Sequence, residues 1–143
     1  MVSPTLAIAL SGVKAATKTV SAVAENVANA ETVGAPGADG QGEAGAGAAR
    51  GAGAQVYQPV DVVNVGLAGG GVAARAWGRT PASSPAYDPE NPAAGADGMV
   101  ARPNVDLARE MMALDQARHA YEAGLKVMKV EDEMLGEVVD LTS

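Results

Sequence analysis

The fold is decided by residues 104–141, which read NVDLAREMMALDQARHAYEAGLKVMKVEDEMLGEVVDL. Large side chains recur along this stretch at alternating spacings of four and three residues, the pattern of a helix that packs along one stripe. It predicts a long α-helix from Asn104, as N-cap, to about Leu141. The residues predicted to pack along this helix, within the chain or between subunits, are Leu107, Met111, Leu114, Arg118, Tyr121, Leu125, Met128, Leu135 and Val139.

Two charged residues interrupt the apolar stripe of this predicted helix, and one glycine is a local weakness. Arg118 and Asp132 occupy positions of the stripe, and two interpretations stay open: their charged ends reach solvent, or they fix register and partner choice. Gly124 is expected to weaken the helix by roughly 1 kcal/mol relative to alanine.

A second helix is predicted near the other end of the chain, from Thr5 to about Ala30. It has the same alternation, and Ser3 and Pro4 occupy the positions expected for a cap and a first helical residue. Gly34 follows where a helix C-cap often falls. The predicted packing residues of this helix are Leu6, Leu10, Val13, Val20 and Val27.

Two such helices predict a mainly α fold in which the N- and C-terminal helices pack as an antiparallel coiled coil. Apolar residues outside the two stripes, such as Val23 and Met112, indicate more than one helical neighbour. We therefore expect residues 1–33 and 103–143 to form the coiled-coil domain.

The middle of the chain has no helical period. Residues 34–54 are almost entirely Gly and Ala and are predicted to be a flexible linker. Residues 55–102 are predicted to form a small β-hairpin and an extended loop, with strands at Gln55–Val65 and Val72–Trp77 and irregular chain at Pro81–Pro92.

Composition excludes several classes of function. Hydrophobic residues make up 48% of the 143 residues, yet there is no Phe and one Trp, so little large apolar material is available for an isolated core. The net charge of −7 disfavours nucleic-acid and anionic membrane partners, and the absence of cysteine excludes disulfides and thiolate sites. No cleavable signal peptide is predicted, and charges at Lys14, Lys18 and Glu25 are expected to rule out a membrane span.

Three motifs in the chain have residue types that also occur in chemical sites. Gly69, Gly71 and Ala74 fit a dinucleotide-binding pattern, but Pro81 arrives too soon for the helix it needs, and a hairpin loop is favoured.

Asp88 and its neighbours lack calcium-loop spacing. His119 shares a helix face with Asp115 and Glu122, an arrangement more typical of surface pairs than of acid–base catalysis. We therefore predict no catalytic, cofactor or metal residues, no cofactor and no small-molecule substrate.

The N-terminal stretch carries a family motif. ALSGVKAA at residues 9–16 and VAENVANAETVG at residues 23–34 resemble the N-terminal motif of flagellar rod and hook proteins. Asn26, Asn29, Thr32 and Gly34 match that motif position by position. Glu31 stands where the motif commonly has asparagine.

The C-terminal part resembles the proximal-rod members of this family. The matching segments are YDPENP at residues 87–92, DGMV at 97–100, PNVD at 103–106, Glu110-Met111 and ARHAYEA at 117–123. Gly124 replaces a usual asparagine. The two matching ends cover about half of the chain.

The resemblance implies a structural, non-enzymatic subunit of the bacterial flagellar basal-body rod. Such a subunit would polymerise helically with copies of itself and with other rod proteins, and transmit motor torque across the periplasm. It would be exported by the flagellar type III apparatus without signal cleavage. Two alternatives remain: another rod or hook subunit, or a soluble helical-bundle adaptor.

Overall fold

A computed structural model describes residues 3–36 and 55–140 of the chain. Most of the predicted Gly/Ala-rich linker, residues 37–54, lies outside the described residues. The described elements are α1 (Pro4–Ala28), β1 (Val60–Gly66), β2 (Val72–Gly78), β3 (Ser83–Tyr87), β4 (Met99–Pro103) and α2 (Leu107–Asp140). The protein is therefore mainly helical, with two small two-stranded sheets, β1–β2 and β3–β4.

Both predicted helices are confirmed. The N-terminal cap is predicted correctly for α1 but not for α2. Ser3 caps α1, since the Leu6 amide donates to Ser3 Oγ at 3.2 Å, and Pro4 is the first helical residue. The predicted cap Asn104 of α2 is wrong. Asp106 takes that role, because its Oδ1 accepts from the amides of Ala108 and Arg109 at 2.9 and 3.3 Å.

The predicted hairpin is confirmed as β1–β2. Its five-residue loop is closed by hydrogen bonds between Leu67 and Gly71, and between Gly70 and Leu67. Gly70 and Gly71 have φ of 87° and 84°, which residues with side chains rarely adopt. A strand follows this glycine motif where a dinucleotide site needs a helix, so the hairpin interpretation holds.

A second hairpin was missed, because the proline-rich segment predicted to be irregular contains β3. β3 pairs with β4 in an antiparallel register that sets Pro85 opposite Ala101. The amide and carbonyl of Ala101 are instead bonded to Gly34, both at 3.0 Å. Pro85 thus lies opposite a residue whose backbone N–H and C=O groups point away from it. Its missing N–H therefore removes no hydrogen bond between β3 and β4. Gly34 pairs in this bridge and is not the predicted helix cap.

The chain divides into two compact units. The first draws on the described residues of Met1–Ala22, Val62–Ala76 and Met111–Ser143, and its buried apolar residues are all alanines: Ala15, Ala16, Ala22 and Ala117. The second comprises Val23–Asp61 and Trp77–Glu110, and its buried apolar residues are Val23, Val56, Pro59, Val100, Ala101 and Pro103.

The expectation about membrane spans needs correction. α1 is long and apolar enough, by length and composition alone, to cross a bilayer. In the first unit, however, its polar side chains contact β2: Ser11 Oγ accepts from the Val72 amide at 3.0 Å, and Lys18 Nζ donates to the Ala74 carbonyl at 3.0 Å. These are the contacts of a helix packed against protein.

Candidate assembly surface and buried polar cluster

Asn26, one of the predicted motif residues, makes four hydrogen bonds through its side chain in the second unit. It is 1% exposed. Its Nδ2 donates to the Val60 carbonyl at 2.8 Å, and its Oδ1 accepts from the Val60 amide at 2.9 Å. The carboxamide thus pairs with Val60 in both directions, as a neighbouring strand's backbone would. Asn26 Nδ2 also donates to Glu110 Oε1 at 3.2 Å, and Tyr57 donates its hydroxyl proton to Asn26 Oδ1 at 3.0 Å.

Arg79 forms ion pairs with both carboxylates of the cluster, and Arg109 Nη2 lies 3.6 Å from Asp61 Oδ1 as a second cation. Arg79 donates through Nη2 and Nε to the two oxygens of Asp61 at 2.7 and 3.3 Å, and its Nη2 also reaches Glu110 Oε1 at 2.8 Å. Its Nη1 donates to the Asn104 carbonyl at 2.8 Å. Arg79 is 8% exposed and Glu110 is 2% exposed, so this ion pair is largely shielded from water.

The electrostatics of the cluster follow from these contacts. The hydrogen bond from Arg79 holds the pKa of Asp61 below its usual range, and the bond to Asp61 raises the pKa of Arg79. Burial raises the pKa of Tyr57, and the charges of Glu25 and Glu110 add to the effect. The phenol is therefore neutral near pH 7 and can donate the proton that Asn26 accepts. We call Asn26, Tyr57, Asp61, Arg79 and Glu110 the buried polar cluster.

The other predicted motif residues lie just beyond the end of α1. Asn29 Nδ2 donates to the Glu25 carbonyl at 2.8 Å, and Thr32 Oγ1 donates to the Asn29 carbonyl at 2.8 Å. Gly34 then forms the bridge to β4. These contacts take up polar groups at the helix terminus, so the motif both ends α1 and directs the chain to the second sheet.

The residues buried on α1 are not those of the predicted packing stripe. Leu10, Val20 and Val27 are each more than a third exposed, while Leu6 and Val13 are half-buried. The buried residues of α1 are Ala15, Ala16, Ala22, Val23 and Asn26. Small side chains therefore supply the intrachain contact of this helix, and the larger ones are left accessible.

The same holds for α2, on which several large apolar side chains are accessible. We define the exposed apolar face of α2 as Met111, Leu114, Tyr121, Leu125 and Leu135, of which Met111 is 68% exposed. Leu107, in the second unit, is also exposed and Met128 is half-buried. The side chain of Val139 lies outside the described residues.

Arg118 is 72% exposed and bonded only along its own helix, since its Nε donates to Glu122 Oε1 at 2.9 Å. This bond also lowers the pKa of Glu122, one of the two carboxylates predicted to share a helix face with His119. Within the chain the charged ends of Arg118 and Asp132 therefore reach solvent, and a role in partner choice between subunits stays open.

Gly124, predicted to weaken α2, is also a point of close approach in the first unit. A Cβ at Gly124 would lie 2.6 Å from Val13 Cγ2 and 3.5 Å from the Ala9 carbonyl oxygen. Only glycine fits there without displacement. Ser3 Oγ donates to Glu131 Oε1 in the same unit, and Glu131 is 8% exposed.

Sequence reasoning missed Tyr57, Asp61 and Arg79, and it noted Glu110 only as part of a segment that matches the family. One signal was available: Asp61 is a charged residue within the valine-rich run VDVVNV. A carboxylate in a half-buried strand needs a cationic partner, but the sequence does not say which arginine supplies it. Within residues 3–36 and 55–140, no group of three or more His, Cys, Asp or Glu residues could hold a metal ion.

Comparison with known proteins identifies the family. Residues 96–141 match the family model described as the C-terminal region of flagellar basal body rod FlgEFG proteins. The chain is 33% identical over 135 residues to the flagellar basal-body rod protein FlgC of Salmonella typhimurium, covering 94% of this chain and 92% of that protein.

Two further FlgC proteins match over shorter segments. The chain is 40% identical over 55 residues to the protein of Agrobacterium fabrum and 38% identical over 55 residues to that of Bacillus subtilis. These alignments cover 40% and 37% of the two relatives. The near-complete match to the Salmonella protein shows that the chain belongs to the FlgC family of flagellar basal-body rod proteins.

Proposed function

We propose that the chain is a structural subunit of the proximal flagellar rod, which polymerises helically and transmits motor torque across the periplasm. The observation that carries this proposal is the exposed apolar face of α2, with Ile8, Leu10 and Val20 accessible on α1. Extended apolar surface on a small monomer favours association with further copies. The predicted packing residues, including Leu107, Met128 and Val139, would then contact neighbouring subunits.

The energetics are of the right size for assembly. Burying one Leu, Met or Val side chain contributes roughly 1.5–3 kcal/mol. A few such residues per neighbour would offset the cost of ordering and docking, about 4–15 kcal/mol. A heterologous contact that does not close on itself extends such docking into a filament.

We further propose that α1 and α2 pair as an antiparallel coiled coil. Two contacts within the first unit support this direction. Ser3 contacts Glu131, and Val13 lies where it limits the side chain at position 124. Positions rise along one helix as they fall along the other. In this proposal residues 1–33 and 103–143 form the coiled-coil domain, residues 34–54 the linker, and residues 55–102 the inserted β region.

The partners and location follow from this role. We infer that the subunit contacts copies of itself and other rod proteins, and that the flagellar type III apparatus exports it without signal cleavage. Its site would be the basal-body rod within the periplasm. The role is structural and needs no catalytic residues.

The proposal is tested by deleting the gene in its own organism and scoring swimming and basal-body morphology by electron microscopy. We expect loss of swimming and basal bodies without a complete rod, restored by the intact gene. Complementation with Met111→Asp combined with Leu135→Asp should fail, because two carboxylates would be buried at the subunit contact. Gln116→Asp, an exposed polar position of the same helix, is the matched control and should restore swimming.

Three outcomes distinguish the alternatives. Normal swimming with complete rods after deletion would reject the rod role. A defect at a different level of the axial structure would indicate a sibling rod or hook subunit. A purified protein that forms a dimer or tetramer of fixed mass, and never a polymer, would favour the soluble adaptor.

A further inference from the structure

The apolar pattern of the two helices does not by itself specify how they are aligned. The positions of α2 that are buried or in close contact recur every seven residues, at Glu110, Ala117, Gly124 and Glu131. Helix geometry alone would therefore allow a slip of one heptad, which again presents one of these positions. A feature that does not repeat is needed to select one alignment.

The buried polar cluster is such a feature, because its members cannot be replaced by residues one heptad away. Glu110 Oε1 accepts hydrogen bonds from both Asn26 and Arg79. Seven residues before and after Glu110 stand Pro103 and Ala117, and neither has a side-chain acceptor. A slipped helix would leave Asn26 and Arg79 buried with unmet hydrogen bonds.

The cluster also joins four separate segments in one place. Asn26 belongs to the end of α1, and Glu110 to the start of α2. Val60 and Asp61 begin β1, while Arg79 follows β2 directly. Since the Asn26 carboxamide satisfies both backbone groups of Val60, the segment entering β1 is fixed by the same side chain that bonds to α2.

We propose that Asn26, Glu110 and Arg79 are the register-determining residues of this fold, which select one alignment of α2 on α1. Arg118 does not serve this purpose, because it bonds to Glu122 of its own helix. The proposal concerns packing within the chain and does not depend on the rod assignment. A single buried polar position has this effect in coiled coils, at some cost in stability.

A cysteine walk tests the proposal, and the chain contains no cysteine that would interfere. Val23→Cys, at a buried position of α1, is combined in turn with one cysteine at each position from 107 to 114 except 110. The yield of each intrachain disulfide is measured in dilute monomer under mild oxidation. We expect one dominant pair in the parent background.

Asn26→Leu with Glu110→Leu replaces the polar contact by apolar side chains of similar size. We expect the preference for the dominant pair to fall by about fivefold or more, the ratio that corresponds to roughly one lost hydrogen bond. Disulfides should then also form with cysteines that lie three, four or seven positions along α2 from the dominant one. Thr19→Val is the matched control, because the Thr19 hydroxyl donates only to the Ala15 carbonyl of its own helix. It should leave the dominant pair unchanged.

A second pair of variants covers the case in which the double leucine variant fails to fold. Glu110→Gln keeps a side-chain oxygen that can accept from Asn26 and Arg79, and it should retain the dominant pair. Glu110→Ala removes that acceptor and should lower the preference. An unchanged dominant pair in Asn26→Leu/Glu110→Leu, or equal preferences in Glu110→Gln and Glu110→Ala, would overturn the proposal.

Discussion

Replacing Gly124 by alanine tests the packing of α2 directly. Helix propensity predicts a higher free energy of unfolding for this variant, whereas the tertiary contact predicts a lower one. Alanine in a helix interior is favoured over glycine by about 0.5–1 kcal/mol. The added Cβ would, however, lie 2.6 Å from Val13 Cγ2, well inside van der Waals contact. Val13 is β-branched and has one strongly preferred rotamer in a helix, so it cannot turn away cheaply.

The expected magnitude follows from these two terms. Overpacking by one methyl group costs typically 1–3 kcal/mol, which exceeds the propensity gain. We therefore expect Gly124→Ala to lower the free energy of unfolding by up to about 2 kcal/mol. Gly136 provides a matched control in the same helix, since nothing lies within 4 Å of its added Cβ. Gly136→Ala should raise the free energy of unfolding by about 0.5–1 kcal/mol.

Urea unfolding followed by circular dichroism, at protein concentrations too low for association, measures both changes. A double-mutant cycle with Val13→Ala then isolates the contact, because removing the γ-methyl groups should relieve the penalty at position 124. Equal stabilisation by Gly124→Ala and Gly136→Ala would refute the close approach of the two helices at this point.

Three further predictions concern the second unit. Lowering the pH below about 4 should reduce the free energy of unfolding, because Asp61 has a depressed pKa and its contribution to stability is lost as the pH falls through that value. The stability of Asp61→Asn should depend less steeply on pH. Identical slopes of stability against pH in the two proteins would contradict this role. Glu110→Ala should destabilise by about 1–3 kcal/mol, because Asn26 and Arg79 each lose an acceptor while Arg79 stays paired with Asp61. Glu110→Gln should cost clearly less, and equal losses in thermal or urea unfolding would show that the acceptor oxygen does not matter. Asp106→Ala should cost about 1 kcal/mol by removing the cap of α2, and a neutral result in the same assay would return that role to another residue.

Prediction from the sequence worked best where the signal is periodic. Both helices, α1 and α2, were found because the spacing of apolar side chains along a helix is a local property of the chain. The β1–β2 hairpin was found for a similar reason, since valines flank a glycine-rich turn. The β3–β4 hairpin was missed because Pro85 counts against a strand in isolation. It is tolerated only because Ala101 turns its hydrogen-bonding groups toward Gly34.

Residue roles were harder to predict than elements. Asn26 was recognised as part of a family motif, but its pairing with Val60 depends on a segment 34 residues away. Arg79 lies 18 residues from Asp61 and 31 residues from Glu110 in the chain. No local pattern in the sequence specifies which charged groups will meet when they are far apart.

The sequence by itself determined the positions of two long amphipathic helices, the turn between β1 and β2, and the family of the protein. These depend on local spacing and on motif residues that can be compared one by one. Only the tertiary structure decided which side chains are buried, that Gly124 admits the close approach of Val13, and that Arg79 joins Asp61 to Glu110. Burial and hydrogen bonding are properties of neighbours in space, and folding brings those neighbours together from distant parts of the chain.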